Sequence, residues 1–164
     1  MDTPILAPQF SQSETSISDR YLRFQLDAAT PAILSTEYIQ EVFVIPTKRI
    51  TFMPNMPDCV VGLLNLRNRI IWVIDLAQML DLQPVDASSQ QYHLIVIRVG
   101  DVPLGLIVYE IKQVTRFLPH ALETVAEHSS AIAPYLEGYL WQQQERLLVL
   151  SAEAIIHSPI LYSY

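Results

Sequence analysis

The sequence predicts an all-β protein of two packed barrels, each with about five strands, and a few short helices. Short segments rich in β-branched and aromatic residues recur along the chain, whereas helical patterns are few and brief. The chain also resembles itself in its two halves. Because hydrophobic residues make up 51% of the 164 residues, the chain can bury a sizeable core.

The elements follow from local pattern. Residues 1–18 are rich in Ser, Thr, Gln and Pro, which predicts a flexible tail. From Asp19 onward, "RYLRFQL" alternates polar and apolar residues as a half-exposed strand does. Further predicted strands are "PAILS", "QEVFVI", "VVGLLNL", "RIIWVI", "HLIVIRV", "LGLIVY", "KQVTRF", "EGYLW" and "RLLVLS". Short helices are predicted at residues 75–80 and 151–156, each opened by an N-cap residue, and after Pro119.

An internal repeat divides the chain. "GLLNLRNRIIWVIDLAQML", which begins at Gly62, aligns without a gap with "GYLWQQQERLLVLSAEAII", which begins at Gly138. "YIQEV", from Tyr38, likewise aligns with "EIKQV", from Glu110, at a similar spacing. Duplication predicts a first barrel over about residues 19–84 and a second over about 88–157, with 158–164 as a C-terminal tail. Chance similarity between hairpins is the alternative. Barrels this small are expected to share a buried interface.

Composition excludes several classes of function. The net charge of -7 would repel phosphate backbones, so nucleic acid is not an expected partner. No apolar run reaches the roughly 20 residues that span a bilayer, and no signal peptide is recognisable, so we expect a soluble intracellular protein. The single cysteine, Cys59, has no nearby base or cation, which predicts a packed thiol and not a nucleophile.

Motifs for catalysis, cofactors and metals are scarce. The 4 glycines are too sparse for a phosphate-binding loop, and the 4 histidines show no i, i+4 pairing with each other. No Gly-x-Ser-x-Gly motif supports a hydrolase. We therefore expect no catalytic residue, cofactor or metal site, and an enzyme is the less favoured alternative.

The segment "NLRNR", residues 65–69, lies where a hairpin must turn. Asn68 tolerates the left-handed conformation that such turns require. One interpretation is a polar turn with solvated arginines. The other is a protein-binding hot spot, because Leu66 places an apolar side chain beside Arg67. The pattern alone leaves both open.

"PNMPDCVVGLLNLRNRIIWVIDLAQML" resembles the central signature of the CheW family of chemotaxis coupling proteins. "FQLDAATPAILSTEYIQEV" resembles the opening strands of the family, and "YLEGYLWQQQERLLVLSAEAII" its last hairpin and helix. The resemblance covers residues 19–157 in the right order. It implies two packed five-stranded barrels of the Src-homology-three type and no catalysis.

The resemblance also implies partners. Proteins of this family bridge the cytoplasmic tips of chemoreceptors to the histidine kinase CheA, whose regulatory domain they bind barrel to barrel. This chain is therefore expected in the cytoplasm, at membrane-associated receptor arrays. Receptor contact carries over by motif to Ile39, Glu41 and Arg67, and Gly62 and Asn65 would shape the same hairpin.

The sequence departs from the family pattern at two places. Asn68 stands where a glycine is usual, and Tyr109 and Glu110 stand where Asp and Gly are usual. These departures indicate a divergent branch, such as one that serves pilus motility or phototaxis. The alternatives are a CheW-like scaffold that has lost receptor binding and, less favoured, a small-ligand-binding or enzymatic barrel.

Overall fold

A computed structural model of the chain describes residues 19–124 and 131–162, and it confirms the predicted all-β class. The predicted flexible tail, residues 1–18, lies outside the described residues. The strands are β1 (Asp19–Asp27), β2 (Thr30–Ser35), β3 (Ile39–Pro46), β4 (Ile50–Phe52), β5 (Val60–Leu66), β6 (Arg69–Asp75), β7 (Gln91–Val99), β8 (Val102–Val108), β9 (Glu110–Phe117), β10 (Leu136–Gln142) and β11 (Glu145–Leu150). Helices α1 (Leu76–Met79) and α2 (Ala152–Ile156) follow β6 and β11.

Every predicted strand is present, and β4 is an additional one that the sequence pattern missed. β4 is very short, and only Ile50 of its residues is buried, so it carries no readable alternation. The turn or two of helix predicted after Pro119 is reduced to a single 3-10 turn, Pro119–Ala121, before Glu123 pairs with Tyr139. Residues 125–128 of that prediction lie outside the described part of the chain.

The strands form two sheets. The five-stranded sheet has the order β10-β11-β2-β1-β9, and the six-stranded sheet has the order β3-β7-β8-β6-β5-β4. Most neighbours are antiparallel, but β2 pairs with β11 in parallel, and β8 pairs with β6 in parallel. These two parallel pairs join strands from opposite halves of the chain.

The internal repeat is confirmed by the bounds of the strands. β1 and β7 begin at Asp19 and Gln91, which have the same spacing as the aligned Tyr38 and Glu110. β5 and β10 begin at Val60 and Leu136, which have the same spacing as Gly62 and Gly138. In the repeat, β1 corresponds to β7, β2 to β8, β9 to β3, β10 to β5 and β11 to β6. With these replacements, the order of the five-stranded sheet becomes β5-β6-β8-β7-β3, which is the order found in the six-stranded sheet. The two sheets are thus copies of one design, with β4 added to the second.

The predicted division into a barrel over 19–84 and a barrel over 88–157 is wrong for the strand pairing. β1 and β2 belong to the first half of the chain but complete the sheet of β9, β10 and β11. β7 and β8, from the second half, complete the sheet of β3 to β6. A repeat shows which segments are equivalent, but equivalent strands have the same pattern, so it does not show which copy of a strand pairs with which neighbour.

Three clusters of buried side chains form the core. The largest contains Phe24 of β1, Ile74 of β6 and Ile95 of β7, together with residues of both α-helices, so it belongs to both sheets. A second cluster lies within the six-stranded sheet around Leu94, and a third lies within the five-stranded sheet around Ile33. The core therefore consists of a shared centre and one interior for each barrel.

Asp75 is a buried carboxylate that joins three elements. It ends β6 and caps α1, because its Oδ1 accepts a hydrogen bond from the Gln78 amide at 3.3 Å. Its Oδ2 accepts a hydrogen bond from the Val85 amide at 3.1 Å. Val85 belongs to the linker, the segment that connects α1 to β7. Burial raises the pKa of Asp75, and these backbone hydrogen bonds oppose the rise. Ser151 caps α2 in the equivalent place, where its hydroxyl accepts the Ala154 amide at 3.1 Å.

The predicted C-terminal tail packs against the rest of the protein as far as Tyr162, the last residue that the structure describes. The buried hydroxyl of Ser158 lies 2.6 Å from the Tyr135 hydroxyl. Pro159–Tyr162 forms a 3-10 turn, and Leu161 packs against the largest cluster. This part of the chain therefore contributes to the shared centre of the core.

We predict that residues 19–84 and residues 88–157, expressed separately, will not fold. Each fragment lacks the strands that complete its sheet and exposes half of the shared core, which costs more than the marginal stability of a small domain. Circular dichroism and thermal melting of each fragment test this. The intact chain over residues 19–162 is the control, and a cooperative melt of either isolated fragment would contradict the prediction.

We predict that Asp75→Ala lowers the free energy of unfolding by about 2–3 kcal/mol, because it removes a helix cap and leaves the Val85 amide without its acceptor. Ser151→Ala is the matched control, since it removes an equivalent cap and should cost about 1 kcal/mol. Denaturant unfolding measures both. Equal losses in the two variants would show that the bond to the linker contributes nothing.

Candidate functional site

The β5–β6 hairpin ends in a tight turn in which two residues adopt the left-handed conformation, Arg67 at φ 52° and Asn68 at φ 67°. This confirms the conformation expected of Asn68. Turns of this kind match the twist of the strands that they join. Gln143 and Gln144 repeat it in the β10–β11 hairpin, at φ 49° and 69°.

Arg67 extends from this turn and forms an ion pair with Glu41 of β3, between Nη1 and Oε2. The Arg67 side chain is 75% exposed, whereas the Glu41 side chain is 20% exposed. A pair with so exposed a member adds little to stability. Its effect is geometric, because the more buried Glu41 carboxylate orients the exposed guanidinium.

The structure brings together some of the sequence-predicted site residues. Glu41 and Arg67 are in contact. The exposed Asn65 lies on the same hairpin as Arg67, and its backbone carbonyl oxygen accepts a hydrogen bond from Arg49 Nη2 at 3.1 Å. Ile39 is partly buried against the largest cluster and precedes Glu41 on β3. The predicted residues thus form two classes, those that are exposed near the turn and those that pack between strands.

Gly62 belongs to the second class, because a Cβ at this position would overlap the carbonyl oxygen of Thr51 on β4. Gly138 meets the carbonyl oxygen of Glu123 in the same way. Glycine recurs at this point of the repeat because a neighbouring backbone crosses too close for any side chain.

Two exposed apolar residues of β6 were missed in the sequence. Ile70 is 67% exposed and Trp72 is 40% exposed, whereas Ile71 and Val73 point into the core. Ile70 lies opposite Asn65, and Trp72 lies opposite the half-buried Leu63. The signal was the alternation in "RIIWVI", which has apolar residues on both faces. We use the term hairpin surface for the exposed and half-buried groups on both faces of this hairpin, together with the neighbouring Arg49: Arg49, Leu63, Asn65, Arg67, Arg69, Ile70 and Trp72.

The corresponding end of the five-stranded sheet has different chemistry. Gln143 occupies the place of Arg67, and Arg23 of β1 donates to Gln142 and Glu145 of this hairpin at 2.6 Å each. Arg146 lies over the Tyr139 ring, 4.3 Å from its centroid. The two hairpins therefore share a backbone but offer different surfaces.

Cys59 is buried, and desolvation raises its pKa to about 11, so the thiol is protonated at neutral pH, as expected of a packed cysteine. Within residues 19–124 and 131–162, no group of three or more His, Cys, Asp or Glu side chains could hold a metal ion. In the same part of the chain, no helix is long and apolar enough to cross a membrane.

The chain folds as two β-barrels that exchange strands and present an exposed hairpin with apolar and basic side chains. Comparison with known proteins specifies the fold further, because the family model for the CheW-like domain matches residues 20–159. The chain belongs to the CheW-like domain family.

Similar proteins agree with this assignment. A protein named probable chemotaxis protein CheW, from Rhizobium etli, is 26% identical over 106 residues, which are 64% of this chain and 68% of that protein. The crystal structure of the scaffolding protein TtCheW from Thermoanaerobacter tengcongensis superimposes with a TM-score of 0.73 at 22% identity, over 82% of this chain and 90% of that one. That likeness confirms the fold.

Proposed function

We propose that the protein is a non-catalytic adaptor in a chemotaxis-like pathway, and that it couples chemoreceptors to a CheA-type histidine kinase in the cytoplasm at receptor arrays. Membership of the CheW-like family and the names of its relatives, a chemotaxis protein and a scaffolding protein, support this class of function. The observation that carries the proposal is the exposed Arg67, oriented by Glu41, on a hairpin that also exposes Ile70.

The hairpin surface fits the tip of a receptor as partner. A guanidinium has five N–H donors in a planar fork, so Arg67 can keep its bond to Glu41 and still donate to a carboxylate of a partner. Ile70 and Trp72 supply exposed apolar area on the same hairpin, and arginine and tryptophan are among the residues enriched at hot spots. We assign contact to Glu41, Asn65 and Arg67.

Ile39 and Gly62 have supporting roles in this proposal. Ile39 anchors the start of β3 against the core, and Gly62 allows β4 to lie close to β5. Substituting either would displace the strands that carry Glu41 and Asn65. Their effect on partner binding is therefore indirect.

Charge favours an acidic partner at this surface. The whole chain has a net charge of -7, yet Arg49, Arg67 and Arg69 are all exposed around this one hairpin. A local basic group on an acidic protein orients an incoming acidic partner and raises the association rate. Binding at this surface should accordingly weaken as salt concentration rises.

The kinase contact is proposed to join this fold to a similar fold in the regulatory domain of CheA. The six-stranded sheet ends in the short strand β4, which leaves backbone groups at the edge of that barrel. A scaffold that binds the kinase but not receptors is the second candidate. It is favoured by the internal pairing of Arg67 and by Tyr109 and Glu110, which depart from the family pattern.

We predict that Arg67→Ala weakens binding to a cognate receptor fragment by about 1–3 kcal/mol, and that Arg67→Glu weakens it more because it repels an acidic partner. Because the side chain is exposed, the free energy of unfolding should change by no more than about 0.5 kcal/mol. Arg98→Ala is the matched control, since it removes the same charge from another exposed, ion-paired arginine of the six-stranded sheet. Unchanged receptor binding by both Arg67 variants would favour the second candidate.

We predict that the chain binds the isolated regulatory domain of a cognate CheA-type kinase without nucleotide or metal, because the proposed contact is between two barrels. Isothermal titration calorimetry in buffer with a chelator measures this directly, and Arg67→Ala should bind this domain as the unmodified chain does. An interaction that requires added nucleotide or metal would contradict the adaptor proposal.

A further inference from the structure

The chain passes from one sheet to the other at two equivalent crossovers. The first, Thr36–Tyr38, joins β2 to β3 through a 3-10 turn, and the amide of Ile39 donates to the Thr36 carbonyl at the end of that turn. The second joins β8 to β9 through a single residue, Tyr109. The counterpart of Ile39 in the repeat is Ile111, and among the described residues before it no helical turn intervenes between the strands.

A side chain replaces the missing turn at the second crossover. The Ile111 amide donates a hydrogen bond to Nδ1 of His93 on β7 at 3.1 Å. The preceding Tyr109 amide donates to the Gln25 carbonyl at 2.9 Å. His93 corresponds in the repeat to Tyr21, whose ring packs edge-on against Phe117 with centroids 6.0 Å apart. The histidine is therefore a point where the two halves differ in chemistry.

We infer that His93 is a positioning residue that ties β9 to β7 through its neutral imidazole, and that protonation of Nδ1 releases this tie. An imidazole nitrogen accepts a hydrogen bond only when it carries no proton, so the bond requires the tautomer with its proton on Nε2. In the imidazolium form both nitrogens are donors, and Nδ1–H would face the Ile111 N–H. The hydrogen bond from the Ile111 amide and a positively charged His93 ring are therefore mutually exclusive.

His93 lies between uncharged strand neighbours and borders a groove that contains titratable groups. Its strand neighbours, Val44 of β3 and Val108 of β8, carry no charge. A groove beside it of about 730 Å³ is lined by further titratable groups, namely Asp27 of the β1–β2 turn, Asp86 of the linker, Tyr92 and Tyr109. Glu110 adjoins Ile111 on β9.

The tie controls a surface that is separate from the hairpin surface. The second crossover presents Tyr109, which is 51% exposed, and the half-buried Glu110. When His93 is neutral, the start of β9 is bonded to β7 as well as to its sheet neighbour β1, whereas protonation leaves the pairing with β1 but removes the bond to β7. The inference concerns this crossover alone and does not depend on the proposed partners.

The test uses the full chain labelled with ¹⁵N and follows two signals between about pH 8 and pH 5.5, the range in which histidines titrate. The imidazole nitrogen shifts of His93 report the tautomer, and the hydrogen-exchange protection of the Ile111 amide, corrected for the intrinsic rate, reports the tie. We expect an unprotonated Nδ1 at the higher pH and a loss of Ile111 protection of about tenfold or more at the lower pH. The Ile39 amide of the first crossover is the internal control and should not respond.

Two variants separate the tie from general stability. His93→Asn places a non-titrating carbonyl oxygen near the position of Nδ1, so Ile111 should stay protected at both pH values. His93→Phe removes the acceptor, so protection should be low at both. A proton on Nδ1 at pH 8, or equal pH dependence in the unmodified chain and His93→Asn, would overturn the inference. If His93→Phe does not fold, the unmodified chain and His93→Asn still decide the outcome.

Discussion

The exchange of strands between the two halves is the constraint on which the rest of this structure depends. β1 and β2 complete the sheet of β9 to β11, while β7 and β8 complete the sheet of β3 to β6. The exchange creates the shared core, because the chain must cross between the sheets to make each pairing. It also joins β3 to the β5–β6 hairpin in one sheet, through β7 and β8, and Glu41 of β3 reaches Arg67 of that hairpin.

Duplication of the fold did not produce duplication of the surfaces. Backbone features recur closely, including the paired left-handed residues, the capped helices and the buried glycines. Side chains at equivalent points differ, as Arg67 and Gln143 show at the hairpins, and His93 and Tyr21 show at the crossovers. Positions that the backbone constrains stayed alike, whereas exposed positions could acquire different partners. A chain with one repeated framework can therefore offer two unlike faces.

Sequence reasoning predicted the strands and the repeat because alternation and turn residues are local properties. It could not predict which copy of each strand pairs with which neighbour, since equivalent strands have the same pattern, and it missed β4 because only Ile50 of that strand is buried. Glu41 and Arg67 were associated only through resemblance to a family, and their contact follows from the pairing of distant strands. The roles of Ile70 and His93 depend on which way a side chain faces and on a backbone amide bonded to a distant side chain, which periodicity does not show.

The exchanged strands also bear on how the chain is made. A ribosome releases β1 and β2 first, yet their neighbours β9 and β11 come from the last third of the chain, as the pairs of Leu22 with Val114 and Ala32 with Leu148 show. Such long-range pairing slows folding and leaves strand edges exposed while synthesis continues. The β1–β2 hairpin must therefore wait for its sheet neighbours until β9 and β11 have been synthesised. Strand edges that stay open during translation are a direct consequence of this topology.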